Sequence, residues 1–206
     1  MTTPNPYKDN STVIQEYIEK ILENKSFRTM VQAGAEIPNY ILPFPVKQTI
    51  EYSKMARRII KRLSEKGIRI ESINLYDEIL SLIGDDLQDY LESNLSKQEL
   101  FEDFLNILDL NNAFAPHIAE IIDSSNAEVV FFTGVGEAYP FVRIHSLLEA
   151  LPTKVKKIKP IIVFYPGTYV KFSGNSCFRL FNKLSPVNYY RAFNIFSEVQ
   201  YHGYST

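Results

Sequence analysis

The chain has 206 residues, enough for one domain with an extended core, and its 45% hydrophobic and 22% charged content is ordinary globular usage that excludes a disordered or fibrous protein. Its 22 Lys and Arg stand against 24 Asp and Glu, which excludes a global drive toward nucleic-acid phosphate and leaves only local basic patches for a weak DNA contact. Cys177 is the only cysteine, which rules out an intramolecular disulfide and fits a reducing compartment.

Residues 1–10, MTTPNPYKDN, lack the basic-then-apolar build of a secretory signal and read as a loose terminus. The purest apolar runs, Val129 to Phe132 and Ile161 to Tyr165, are far shorter than the ~20 residues of a membrane helix, so a cytoplasmic protein without a membrane partner is expected. A single domain is expected over residues 11–198, with 199–206 as a tail. A helix should open with a capping box at Thr12 and Gln15, carrying Val13, Ile14, Tyr17, Ile18, Ile21 and Leu22 on one face. Asn39 to Pro45, NYILPFP, is extended, because its prolines forbid a helix. Val46 to Glu65 then reads as a helix with Ile50, Ile59, Ile60 and Leu63 inward and Arg57, Arg58, Lys61 and Arg62 outward, stopped by Gly67.

Ile68 to Leu75 alternates with a phase break at Ser72, which predicts a strand with a bulge or an early turn. A helical region of about residues 76–124 follows. It contains a capping box at Ser96 and Glu99 and a short helix over Ala113 to Ile122, with Pro116 in its first turn. From Ala127 the pattern becomes strand, turn, helix and strand: Glu128 to Thr133, Gly134 to Gly136, Ala138 to Leu151, and Ile161 to Tyr165, ended by Pro166-Gly167. Two apolar strands joined through a helix predict a right-handed βαβ unit. A short helix around Cys177 to Leu184 and a last strand over Tyr190 to Phe196 complete the reading. The fold class is three-layer α/β, with a small, mainly parallel sheet and an inserted helical region.

The candidate chemistry is thin. Thr133 to Glu137, TGVGE, lies where an α/β protein binds phosphate. It lacks the spacing and lysine of a P-loop, however, and Tyr139 stands where a dinucleotide fingerprint needs its third glycine. Glu137 would also repel a phosphate. Nucleotide binding through Gly134–Gly136, in a degenerate NTPase, stays open as the rival reading. Glu137, Arg143 and His145 surround one helix start without the spacing of a particular acid–base mechanism, and His145 and Glu149 are positioned to pair along the helix. His117 follows Pro116, and His202 is in the tail. One cysteine and three histidines give no zinc spacing, so neither a metal nor a cofactor is expected. Cys177 and Ser173 lie in no nucleophile turn, and no catalytic residue is assigned. Arg57, Arg58, Lys61 and Arg62, and the connector Lys154 to Lys159, read as solvated faces more readily than as a nucleic-acid groove.

Three phrases carry a resemblance: FFTGVGEAYPFVRIHSLLEAL at Phe131 to Leu151, IIVFYPGTY at Ile161 to Tyr169, and NYYRAFNIF at Asn188 to Phe196. With AEIPNYILPFP at Ala35 to Pro45 and INLYDEIL at Ile73 to Leu80, the chain resembles the BrxB family, a small component of BREX (bacteriophage exclusion) defence systems. The resemblance implies a cytoplasmic accessory protein of a system that methylates host DNA and blocks phage replication, with the chemistry assigned to other members. It further implies partnership with the alkaline-phosphatase-like PglZ. The expected partner surface is the loops at the C-terminal strand ends: Glu137, Tyr139, Pro140 and Arg143 after one strand, Tyr169 after the next, and Tyr189, Tyr190 and Arg191 nearby.

Overall fold

The computed structural model describes residues 3–29, 38–84, 86–172, 175–184 and 192–198. In chain order the elements are α1 (Ser11–Glu23), α2 (Lys25–Arg28), β1 (Asn39–Phe44), α3 (Thr49–Glu65), β2 (Ile70–Asn74), α4 (Leu75–Ile83), α5 (Asp86–Glu92), α6 (Lys97–Ile107), α7 (Ala115–Ser124), β3 (Val129–Thr133), α8 (Val135–Ala138), α9 (Ile144–Ala150), β4 (Ile161–Phe172), β5 (Asn175–Leu180), β6 (Phe193–Asn194) and α10 (Ile195–Glu198).

The sheet runs in the order β2-β3-β4-β1-β6, all parallel, with β5 added antiparallel to the far half of β4. This is the three-layer, mainly parallel arrangement expected, with α4–α7 inserted between β2 and β3. Alternation along each strand sorts side chains to two cores. Ile41, Val130, Phe132, Ile161, Val163 and Tyr165 pack under α4 and α7–α9, whereas Tyr40, Leu42, Phe44, Phe131, Ile162 and Phe164 pack against α1 and α3. Topology accounts for the division. The crossover from β1 to β2 runs one way across the sheet and the later connections run the other way, so right-handed crossovers place their helices on opposite faces.

Several local expectations change. The cap of α1 is Asn10, whose side chain accepts from the Val13 N–H, rather than Thr12, and Val13 is exposed. Ile50 is 73% exposed rather than inward, because within α3 it falls about 180° around the helix from Ile59, away from the buried stripe of Tyr52, Met55, Ala56, Ile59 and Leu63. Arg58 and Arg62 turn toward α1. The Arg58 Nε donates to the buried Gln15 at 2.8 Å and Arg62 meets the buried Glu19 at 3.4 Å, leaving Arg57 and Lys61 outward. The basic connector is likewise structural. The Asp123 carboxylate accepts from the Lys156 and Lys157 backbone N–H groups, and the buried Lys159 Nζ donates to the Ile122 and Ser125 carbonyls at 2.6 and 2.8 Å. A cation there satisfies the α7 C-terminus, and burial holds the Lys159 amine below its ordinary range.

The single helix expected over Ala138 to Leu151 is two, α8 and α9. Pro140 has no N–H to give, and Tyr139 before it is extended at φ −71°, ψ 136°, as a residue preceding proline prefers. The expected helix around Cys177 is strand β5, and β4 continues through Pro166-Gly167 instead of ending there. At Pro166, β4 exchanges its parallel neighbours for β5. The missing proline N–H falls at this exchange, while the Pro166 carbonyl accepts from Phe181. Gly167 is required next, since a Cβ there would lie 2.1 Å from the Arg179 carbonyl oxygen. Of the last expected strand, Phe193–Asn194 is strand and Ile195–Glu198 is helix. The Asn194 side chain ends the strand by accepting from the Phe196 N–H.

Candidate functional site

In an open parallel sheet, ligands gather at the C-terminal strand ends where neighbouring connections leave for opposite faces. That point here lies between the ends of β1, β3 and β4. Phe44, Thr49 and Ser53 come from β1 and the first turns of α3, and Thr133, Gly134, Val135 and Glu137 come from β3 and α8, with Phe164 and Pro166 as the floor. Together they line a shallow, open depression, unlike the enclosing clefts that bury most of a small molecule's surface.

The glycines of this turn are explained by packing. Gly134 has φ +70°, and a Cβ there would stand 1.9 Å from Asn74 Oδ1, the oxygen that caps α4 by accepting from the Tyr76 N–H at 3.1 Å. At Gly136 a Cβ would meet the Phe181 ring at 3.0 Å and Pro166 at 3.1 Å. The helix they open, α8, has four residues with Glu137 in its first turn, so its amides form a short, carboxylate-flanked end.

The same packing draws the expected site residues together. The Tyr139 ring lies edge-on to Phe181 at 6.2 Å, and Tyr169 packs on Phe178 at 4.9 Å. Tyr169 thus packs within the β4–β5 hairpin, while the segment after β3 meets the end of that hairpin through the Tyr139–Phe181 contact. Glu137, Pro140 and Arg143 are exposed beside it, and Tyr139 and Tyr169 are half-buried. Arg143 precedes α9 as its extended N-cap without a side-chain capping bond. His145 follows on α9. Burial holds its imidazole below the usual range, with Glu149 pulling the other way. Tyr189, Tyr190 and Arg191 lie outside the described residues. Tyr7 reaches the hairpin from the N-terminal segment. Its hydroxyl donates to the Gly167 carbonyl at 2.6 Å, and burial pushes that hydroxyl up to about 12.

Sequence reasoning missed the β1 side of the depression. Thr49 and Ser53 are four apart at the start of a helix that follows a strand end, and that spacing was the available signal. His117 was also read without its partner, as it pairs with Glu78 of α4 at 2.7 Å. Among the described residues there is no group of three or more metal-ligating side chains, and no helix is long and apolar enough to cross a membrane.

The family described as "BREX protein BrxB" matches residues 71–195, which takes in the site segments after β3 and β4 and the whole helical insertion. The chain is 28% identical over 199 residues to the BREX protein BrxB of Bacillus cereus (strain H3081.97), covering 88% of this chain and 97% of that protein. It is also 28% identical over 173 residues to the BREX protein BrxB of Escherichia coli O9:H4 (strain HS), covering 79% and 80%. No solved structure matches.

Proposed function

Because this chain belongs to the BrxB family of BREX phage-defence components, we propose that it is a non-enzymatic adaptor whose loops after β3 and β4 hold a partner protein, PglZ, in the BREX assembly. The observation that carries this reading is the Tyr139–Phe181 contact with Glu137, Pro140 and Arg143 exposed in the same loop. A rigid, half-buried aromatic pair next to an arginine has the composition of an interface hot spot. The relatives' names carry no enzymatic term. The rival nucleotide reading has less support, since packing accounts for Gly134 and Gly136 and the adjoining carboxylate opposes phosphate.

The test is co-expression with PglZ of the same operon, affinity capture, and size-exclusion with light scattering. Wild type should form a stoichiometric complex, and Arg143→Glu, with an unchanged circular dichroism spectrum, should bind at least about tenfold more weakly, as loss of a central arginine typically costs. A wild-type protein that ignores PglZ refutes the adaptor reading. Concentration-dependent thermal stabilisation by millimolar ATP or GTP would favour the rival instead.

A further inference from the structure

Charge is segregated along this chain in a way its net value of −2 conceals. Residues 76–110 contain ten Asp and Glu against the single Lys97, a formal −9, so the remaining residues, with 21 basic and 14 acidic side chains, carry +7. The acidic stretch is α4–α6 and the turns around them. Asp77, Asp89, Glu92, Glu99, Glu102 and Asp109 are all exposed, and among the described residues Glu78 alone of this group enters an ion pair, with His117.

The helices that present these carboxylates are incompletely covered. No residue of α6 is fully buried, and Leu95 and Leu105 are each 39% exposed. The inner side of α6 is anchored by aromatic contacts, Phe101 and Phe104 on Phe141 at 5.3 and 5.7 Å and Tyr90 on Phe104 at 5.0 Å. Phe141 lies between Pro140 and Arg143, so the acidic face adjoins the loop after β3.

Like charges crowded on one face repel each other and gain from an opposite partner. An acidic helix face with partly exposed leucines complements a Lys/Arg-rich amphipathic segment, whose apolar residues meet Leu95 and Leu105 while its cations meet the carboxylates. We infer that the outer face of α5 and α6 is a docking surface for a basic, amphipathic segment of a partner protein, separate from the loop face assigned above. A second copy fits less well, because Arg28, Arg58, Arg62, Lys66 and Lys159 are already engaged by acceptors of their own chain.

The test uses the full chain, labelled, against an array of overlapping 20-residue peptides covering the other proteins of its operon. Bound peptides should be Lys/Arg-rich with apolar residues at helical spacing. Binding should weaken about tenfold or more in the triple variant Asp89→Lys, Glu92→Lys, Glu102→Lys and should fall steeply with added salt. These three positions are exposed and cap no helix N-terminus, and circular dichroism would verify that the variant folds. Absence of binders, binders that are neutral or acidic, or equal binding to the triple variant would overturn the inference. So would salt-sensitive self-association abolished by the same substitutions, which would put a second copy on this face. The loop-face reading stays independently testable, since Arg143→Glu leaves α5 and α6 untouched.

Discussion

Replacing Gly134 by alanine perturbs the turn where β2, β3 and α4 meet, and the size of the effect follows from two features. At φ +70° a residue with a Cβ costs about 1 kcal/mol. The added Cβ also falls 1.9 Å from Asn74 Oδ1, so Asn74 must rotate and surrender its cap on the Tyr76 N–H, worth about 1 kcal/mol more. The total is about 2 kcal/mol, a fall of roughly 4–8 °C in Tm for a domain of this size. Gly67→Ala is the control: its φ is +76° but nothing lies within 4 Å of the new Cβ, so only the first cost of about 1 kcal/mol applies. Urea denaturation of Gly134→Ala, Asn74→Ala, the double variant and Gly67→Ala measures these quantities. The double variant should be more stable than the sum of its parts predicts by about 1 kcal/mol, because the cap can be lost only once. Strict additivity, or a Gly134→Ala no worse than Gly67→Ala, would refute the packing account and reopen a ligand-binding role for this glycine.

Two further outcomes follow from buried polar groups. The Tyr52 ring stacks on Phe44, its buried hydroxyl has no hydrogen-bond partner among the described residues, and burial drives its ionisation upward. Tyr52→Phe should therefore stabilise the protein by about 1 kcal/mol, and a lower Tm would show a hidden partner. Arg28, with an 11% exposed side chain, donates to Glu128 and to the Leu22 and Glu23 carbonyls. Arg28→Met should cost about 2–4 kcal/mol at pH 7. Burial pushes the Glu128 carboxyl up, but Arg28 and Arg69 together hold it below the ordinary glutamate value of 4.5. Its contribution is thus present above pH 4.5 and disappears as pH falls through the depressed value. Urea midpoints of wild type and Arg28→Met should converge on acidification, and a gap that stays constant to pH 3 would exclude the ion pair as its source.

The parallel sheet was legible because its strands are buried on both faces and therefore appear as unbroken apolar runs, Val129 to Phe132 and Ile161 to Tyr165. The helical insertion announced itself through the Ser96–Glu99 capping box, which forms as expected. Strand β5 was missed because Gly174 and the polar residues beside it mimic a loop leading into a helix, and pairing with β4 is a tertiary fact no local pattern records. The break between α8 and α9 was available in Pro140, which was given to a helix interior where its ring and missing N–H cannot sit. The outward Ile50 was legible as well, since at about 100° per residue it falls opposite Ile59 on α3. The loop residues Glu137 to Arg143 were singled out by strand-end position, and the structure places Tyr139 against Phe181. The acidic face needed a charge sum over residues 76–110, which a reading by motif passes over.

Strand order also sets a timetable for synthesis. β1 emerges early, yet its partners are β4, beginning with Asn39 opposite Ile161, and β6, with Tyr40 opposite Phe193. From Asn39 to Ile161 is 122 positions, roughly 6–24 s of translation at typical rates. For that interval a strand destined to be buried along its full length has no mate on either edge. Nascent chains halted before residue 161 should therefore expose it as an unpaired, aggregation-prone strand until β4 arrives.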